Sequence, residues 1–180
     1  MLHFFLLTTV LLFIMAGCSS ERGIDPATEE VPAALEKRNV PIGGSLNGTV
    51  SPSVIAPGIF RWEVAAQGNI SHLGRVNAAI IFPEVEVDIP NQTMIVRSGT
   101  WTGVMTAANG DRLFGLYTVR NGSTTFDALG NIGFVADLEI TGGTGRFQGA
   151  TGSGVANGQG NIFTLSFGTS VQGTISQVGN

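Results

Sequence analysis

The sequence predicts an all-β protein whose main domain is a closed antiparallel barrel of about eight strands. First, four Asn-Gly pairs, which favour tight hairpin turns, occur at residues 47–48, 109–110, 121–122 and 157–158. Second, short runs with an apolar residue at every second position separate these pairs, and no segment there has a helical period. Third, no proline follows Pro90 and no lysine follows Lys37, although both residues commonly protect exposed sheet edges. A barrel has no such edge, and a β-sandwich is the alternative that this pattern leaves open.

Individual strands are indicated by the period of two. Residues 132–140 alternate between apolar and polar side chains, and so do residues 162–167 and 171–175. A further strand is predicted to begin near Gly74, after Ser71, His72 and Leu73. Each of these runs is typical of an antiparallel sheet with one buried face.

The first 17 residues read as a signal peptide. Phe4 to Met15 is almost wholly apolar and too short to cross a bilayer, which takes ~20 helical residues. Ala16, Gly17 and Cys18, the only cysteine, follow this run and resemble the lipobox of bacterial lipoproteins. The resemblance implies export, cleavage before Cys18 and attachment of acyl chains such as palmitate to that residue. It also implies an outer-membrane location, because Ser19 rather than aspartate follows the cysteine.

Residues 18–41 are predicted to be the acylated cysteine and a flexible linker, followed by a β-barrel domain over residues 42–180. The linker contains interspersed acidic and basic residues and three prolines, as solvated tethers do. Within it, residues 32–38 could form a short helix with Pro32 at the first position.

A glycine-rich run at residues 140–152 resembles the signature of plant dirigent proteins and, more loosely, of allene oxide cyclases. The run contains Gly142, Gly143, Thr144, Gly145 and Phe147. Together with the segments 71–75 and 106–111, it is similar to bacterial secreted proteins with an allene-oxide-cyclase-like barrel. The resemblance implies an eight-stranded barrel over residues 44–177 with an apolar interior cavity, and it carries over no catalytic residue. The glycines would reverse the chain between two strands while Phe147 fills one end of the barrel.

Few side chains suit catalysis or metal binding. His72 is the only histidine after the leader, so a zinc site or a serine triad would lack partners. Glu84, Glu86 and Asp88 alternate on one predicted strand face, where they could bind calcium or simply face solvent. We therefore predict no metal, no cofactor and no catalytic residue, and the scattered arginines give no support for nucleic-acid binding.

The function predicted from these observations is non-catalytic binding of a small apolar or amphipathic ligand by a membrane-anchored lipoprotein. The candidate ligand-binding residues are Trp62, His72, Arg75, Trp101 and Tyr117. Arg75 could instead pair with Glu63 or another carboxylate. Two alternatives remain open: a cyclase or isomerase that uses an inward-facing Glu63, His72 or Asp111, and a structural module that contacts other envelope proteins.

Overall fold

The structure is a computed structural model that describes residues 38–97 and 99–177. The predicted signal peptide, Cys18 and the linker up to residue 37 lie outside the described residues, as does all but the last residue of the predicted short helix. The described chain forms ten strands: β1 (Arg38–Ala56), β2 (Ile59–Ile70), β3 (Gly74–Asp88), β4 (Thr93–Val96), β5 (Thr100–Ala107), β6 (Arg112–Val119), β7 (Ser123–Thr125), β8 (Asn131–Gly143), β9 (Gly152–Asn161) and β10 (Ser166–Gln177).

Eight of the strands close into an antiparallel barrel in the order β1, β2, β3, β5, β6, β8, β9 and β10. The first and last strands pair with each other from Arg38 and Gln177 to Thr49 and Ser166, which closes the barrel. The predicted closed barrel is therefore confirmed, and the open β-sandwich is excluded. β4 pairs with the end of β3, and β7 pairs with β4, so these two short strands form a flap at one end of the barrel.

Strand β1 begins at Arg38, four residues before the predicted start of the barrel domain at residue 42. It does so because β10 continues to Gln177 and supplies a partner for every residue from Arg38 onward, including Thr174 for Pro41. Arg38 and Pro41, whose charge and ring were read as features of a linker, therefore belong to the first strand.

Two of the four Asn-Gly pairs form the predicted turns. Residues 109–110 connect β5 to β6, and residues 121–122 connect β6 to β7 with φ values of 68° and 66°. The hairpin prediction is wrong for residues 47–48 and 157–158, which lie within β1 and β9. There the glycines face the barrel interior, where a side chain would overlap the Ala65 carbonyl oxygen in one case and the Phe134 ring in the other.

The strand predicted at residues 162–167 is also wrong, because residues 162–165 form the turn between β9 and β10. The Asn161 side chain stabilises this turn: its Oδ1 accepts hydrogen bonds of 2.9 Å from the backbone N–H groups of Phe163 and Thr164. Phe163 is consequently 58% exposed instead of facing the core. The strands predicted at residues 132–140, at residues 171–175 and from Gly74 are confirmed.

The barrel has two distinct ends. We call the end that carries the β1–β2 turn, the flap and the β9–β10 turn the mouth. There the backbone N–H of Val87 donates to Gly58, and that of Val50 donates to Leu165. We call the other end the base; it carries the β2–β3, β5–β6 and β8–β9 connections. Within the described part of the chain, no helix has the length and hydrophobicity that a membrane crossing requires.

The glycine-rich run connects β8 to β9 at the base. Gly142 and Gly143 end β8, and a single 3₁₀ turn (Gly145–Phe147) follows, with Gly145 at φ 58°. The Thr144 hydroxyl accepts a 3.0 Å hydrogen bond from the backbone N–H of Arg112 and ties the connection to β6. Phe147 is buried in the core.

Candidate functional site

The barrel interior is filled by aromatic side chains. Trp101 lies at the centre, with ring centroids 4.5 Å from Phe82, 5.8 Å from Tyr117 and 6.0 Å from Phe134. Inner spaces of about 20 Å³ and about 10 Å³ remain beside these rings, each with room for about one water molecule. These volumes do not match the ligand-sized interior cavity that the resemblance to the plant barrels implies.

A larger apolar cleft opens at the mouth. Its volume is about 160 Å³, and its walls come from the ends of β1, β2 and β3 and from the β9–β10 turn. Every lining residue is apolar: Pro52, Phe60, Trp62, Val87, Ile89, Ile162, Phe163 and Leu165. Ile89 and Phe163 are 52% and 58% exposed, so the cleft presents apolar surface directly to solvent.

The local sequence explains how this cleft forms. The pairing between β2 and β3 shifts register between Phe60 and Trp62, which disturbs the alternation of the strand at the mouth. Phe163 is held at the opposite wall by the turn that Asn161 stabilises, and its ring packs over Gly130, where a Cβ would lie 2.5 Å from a ring carbon.

Leu165 lies between the cleft and the interior. Together with Trp62 and Ile162, it lines both the cleft and the inner space of about 20 Å³. Its φ of 56° is unfavourable for a residue with a Cβ, and such strained residues often lie at ligand sites.

The predicted ligand-binding residues do not come together. Trp62 lines the mouth cleft, whereas Trp101 and Tyr117 stack within the filled interior. His72 and Arg75 are exposed near the base, the former in the β2–β3 turn with φ 65°. The separation follows from topology. Trp62 lies near the start of β2, at the mouth, whereas His72 and Arg75 follow the end of β2, at the base.

Arg75 does not pair with a carboxylate as the alternative prediction had it. Its Nη2 lies 3.4 Å from the Gln67 Oε1, at the limit of a hydrogen bond. Glu63 instead pairs with Arg61 on the same strand, with 3.0 Å between Nε and Oε1. Residues two apart on a strand share a face, so Arg61 is the nearer partner.

With one exception, the ionisable side chains of the described residues lie outside the core. Among the described residues, Tyr117 is the one ionisable side chain that is buried, and burial raises its pKa to about 12. Glu63 and His72 are exposed, and Asp111 is half-buried at the base, where it accepts a 2.8 Å hydrogen bond from Asn109 and faces Arg146. None of the three candidate acids or bases points into the barrel.

The three carboxylates at the end of β3 do not converge. Glu86 forms an ion pair with Arg97 at 2.8 Å. Asp88 accepts hydrogen bonds from the side chain and the backbone of Asn91, which lower its pKa. No group of three histidine, cysteine, aspartate or glutamate side chains in the described residues is arranged to hold a metal ion.

Sequence reasoning missed most of the cleft. The sequence does not single out Phe60 or Ile89, and its alternation places Phe163 and Leu165 in a strand rather than in the turn that they form. The available signal was Asn161. An asparagine side chain that accepts hydrogen bonds from the backbone N–H groups two and three residues later is a common turn signature.

No protein-family model, curated protein or solved structure matches the chain.

Proposed function

We propose that this protein is a lipid-anchored component of the bacterial cell envelope that binds an apolar group, non-catalytically, in the mouth cleft. The observation that carries the proposal is a solvent-accessible cleft lined entirely by apolar side chains, with Ile89 and Phe163 exposed at its edge. Exposed apolar residues that share one concave surface are typical of binding sites.

The volume of the cleft limits what it holds. About 160 Å³ accommodates one aromatic ring or a short segment of an alkyl chain. Burial of about five methylene groups at ~0.8 kcal/mol each corresponds to a Kd of roughly 1 mM. Contacts outside the cleft, or an opening past Leu165 into the interior, would strengthen binding beyond that value.

The lipid anchor is the second part of the proposal, and Cys18 with its preceding apolar run supports it. Several acyl chains at this residue would hold the protein durably, because a single chain binds membranes only marginally. The described chain enters the barrel at Arg38, which pairs with Gln177 beyond the base. The mouth is at the opposite end of the barrel from Arg38.

The two tryptophans make a direct test of the cleft. In the full-length chain, Trp101→Phe leaves Trp62 in the cleft as the reporter, and Trp62→Phe leaves Trp101 in the interior. A dibrominated fatty acid quenches indole fluorescence only at contact. We expect quenching of Trp62 and none of Trp101, and equal quenching of both would contradict binding at the mouth.

Matched substitutions separate the cleft from general surface hydrophobicity. Ile89→Ser combined with Phe163→Ser should abolish the quenching of Trp62. Leu129→Ser is the control, because Leu129 is 72% exposed and lies outside the cleft. If Leu129→Ser also abolished the quenching of Trp62, the fatty acid would be adsorbing non-specifically to apolar surface.

The anchor has its own test. Mass spectrometry of the protein from membranes of its bacterial host should show a mature N-terminus at Cys18 carrying acyl chains. Cys18→Ser should move the protein out of the membrane fraction. Retention of the intact leader in the mature protein would refute this part and leave the cleft proposal standing.

A further inference from the structure

One face of the barrel wall carries no charge. Residues 39–60 and 147–177 contain no aspartate, glutamate, lysine, arginine or histidine. These segments supply β9, β10 and β1, which are neighbours in the barrel. All charged side chains of the described residues other than Arg38 therefore belong to residues 61–146.

Amide side chains form a row across this face and the adjoining strands. The strand register places Asn77 of β3 beside Gln67 of β2 and places Gln67 beside Asn47 of β1. It then places Asn47 beside Gly168 of β10, and Gly168 beside Gln159 of β9. The four amide residues are exposed on the outer wall. We call these four residues the amide row.

Rows of small polar residues flank the amide row on both sides. One row runs through Asn69, Ser45, Ser170 and Asn157, and the other runs through Thr49, Ser166, Asn161 and Asn131. Neighbouring positions on one sheet face lie about 5 Å apart across strands. The outer wall thus presents a regular array of amide and hydroxyl groups.

Gly168 opens a recess in the middle of this array. The recess has a volume of about 400 Å³ and is lined by Asn47 and Gln159 on its two sides and by Gly160 and Gly168. A Cβ at Gly168 would lie 3.1 Å from Asn47 Oδ1 and 3.6 Å from Gln159 Cγ. Gly168 itself is buried, because the Asn47 and Gln159 side chains lie against it where a Cβ would be.

The amides that border the recess differ in how they are held. Asn161 and Asn131 are hydrogen-bonded to each other at 2.9 Å, and Asp127 accepts a bond from Asn131, so this wall is fixed. In the described part of the chain, the side chains of Asn47 and Gln159 make no hydrogen bond. A ligand in the recess would meet unused donors and acceptors beside a fixed wall.

We propose that the amide row and its recess bind a neutral glycan. Each amide both donates and accepts hydrogen bonds, as each sugar hydroxyl does, so the two kinds of group are complementary. None of the residues that line the recess is charged, so it offers no ion pair to phosphates, carboxylates or ammonium groups. Arg75 lies beside Gln67, at the far end of the amide row from the recess. Ile132 and Phe167 also line the recess, but its amides and hydroxyls distinguish it from the mouth cleft, whose lining residues are all apolar.

The test is saturation-transfer NMR and calorimetry on the full-length chain with three neutral probes, namely chitohexaose, cellohexaose and maltohexaose. We expect at least one probe to bind. Asn47→Ala combined with Gln159→Ala should weaken binding about tenfold or more, because two hydrogen-bonding amides are removed. Gly168→Thr should weaken it similarly, because the added side chain would displace the Asn47 amide.

The control is Thr102→Ala with Thr118→Ala, two exposed hydroxyls on the outer faces of β5 and β6. This variant should bind like the unmodified chain, and all variants should retain quenching of Trp62 at the mouth. The proposal is overturned if no probe binds, or if the recess variants bind as well as the control. It is also overturned if sedimentation shows a dimer that Gln159→Lys dissociates, because the array would then be an interface between two copies of the chain.

Discussion

Replacing Trp101 with alanine tests whether the barrel interior is filled. Its indole is 3% exposed and contacts the rings of Phe82, Tyr117 and Phe134 within 6.0 Å between centroids. A barrel with a ligand cavity would leave one side of such a ring unpacked. A filled barrel would leave a void of the full size of the indole after the substitution.

The expected loss of stability follows from this packing. A buried tryptophan removes ~200 Å² of surface from water, which at ~25 cal/mol per Å² gives ~5 kcal/mol as an upper limit. Measured losses for buried aromatic residues changed to alanine are about 3–5 kcal/mol. We expect Trp101→Ala to lower the free energy of unfolding by an amount in this range.

Denaturant unfolding followed by circular dichroism measures the loss, with Phe163→Ala as the reference for a side chain that is 58% exposed. The reference should change the free energy of unfolding by less than about 1 kcal/mol. A loss below about 1.5 kcal/mol for Trp101→Ala would refute the filled interior. If the variant folds, the void should also bind benzene, as dry apolar cavities do.

Three further predictions concern pH and packing. Tyr117, the only tyrosine, should ionise at about pH 12 in the folded protein and near pH 10 when unfolded, as measured by ultraviolet absorbance. Because the pKa of Tyr117 is raised in the folded protein, the stability that it contributes below pH ~10 should be lost as the pH rises through ~12. Gly158→Ala should lower the free energy of unfolding by about 1–3 kcal/mol in a denaturant titration, because its methyl group would enter the Phe134 ring; unchanged stability would contradict that contact. Arg120 hydrogen-bonds to Asp137 and lowers the pKa of that carboxyl, so Arg120→Gln should raise the Asp137 pKa measured by NMR. The stability from this pair is present above pH ~4 and is lost as the pH falls through the lowered pKa, so the variant should lack it. An unchanged Asp137 titration would disprove the pairing.

The closed barrel could be predicted from sequence because closure leaves a compositional trace. Strands with no exposed edge need neither lysine nor proline, and residues 91–180 contain neither. The strand at residues 132–140 could be predicted because every second residue faces the core, from Ile132 to Ile140. These signals are local or compositional, so one sequence is enough to read them.

The two Asn-Gly pairs that lie within strands had no local signal to distinguish them from the two that form turns. Gly48 and Gly122 both follow asparagine, and glycine suits a turn and an inward strand position equally well. Only the neighbouring strand distinguishes them, because a side chain at Gly48 would overlap the backbone of β2. Contacts of this kind join residues far apart in sequence, and short-range patterns do not contain them.

The candidate site was harder to predict than the fold for the same reason. Trp62 was identified because a tryptophan in a strand region is conspicuous, but its partners in the cleft come from three separate segments. Phe163 lies in a turn whose alternation imitates a strand, and its exposure depends on the side chain of Asn161. His72 and Arg75 were grouped with Trp62 through chemistry alone, and topology separates them from it.

The inward glycines and the filled interior have one physical origin. A small barrel has room inside for few large side chains, so rings on some strands require glycine on others. The Tyr117 ring lies over Gly103, and the Phe134 ring lies over Gly158, each where a Cβ would collide with it. The space that a ligand would need is thus taken by the barrel's own aromatic side chains. The two proposed binding sites accordingly lie outside this interior, one at the mouth, where the strands end, and one on the outer wall beside Asn47 and Gln159.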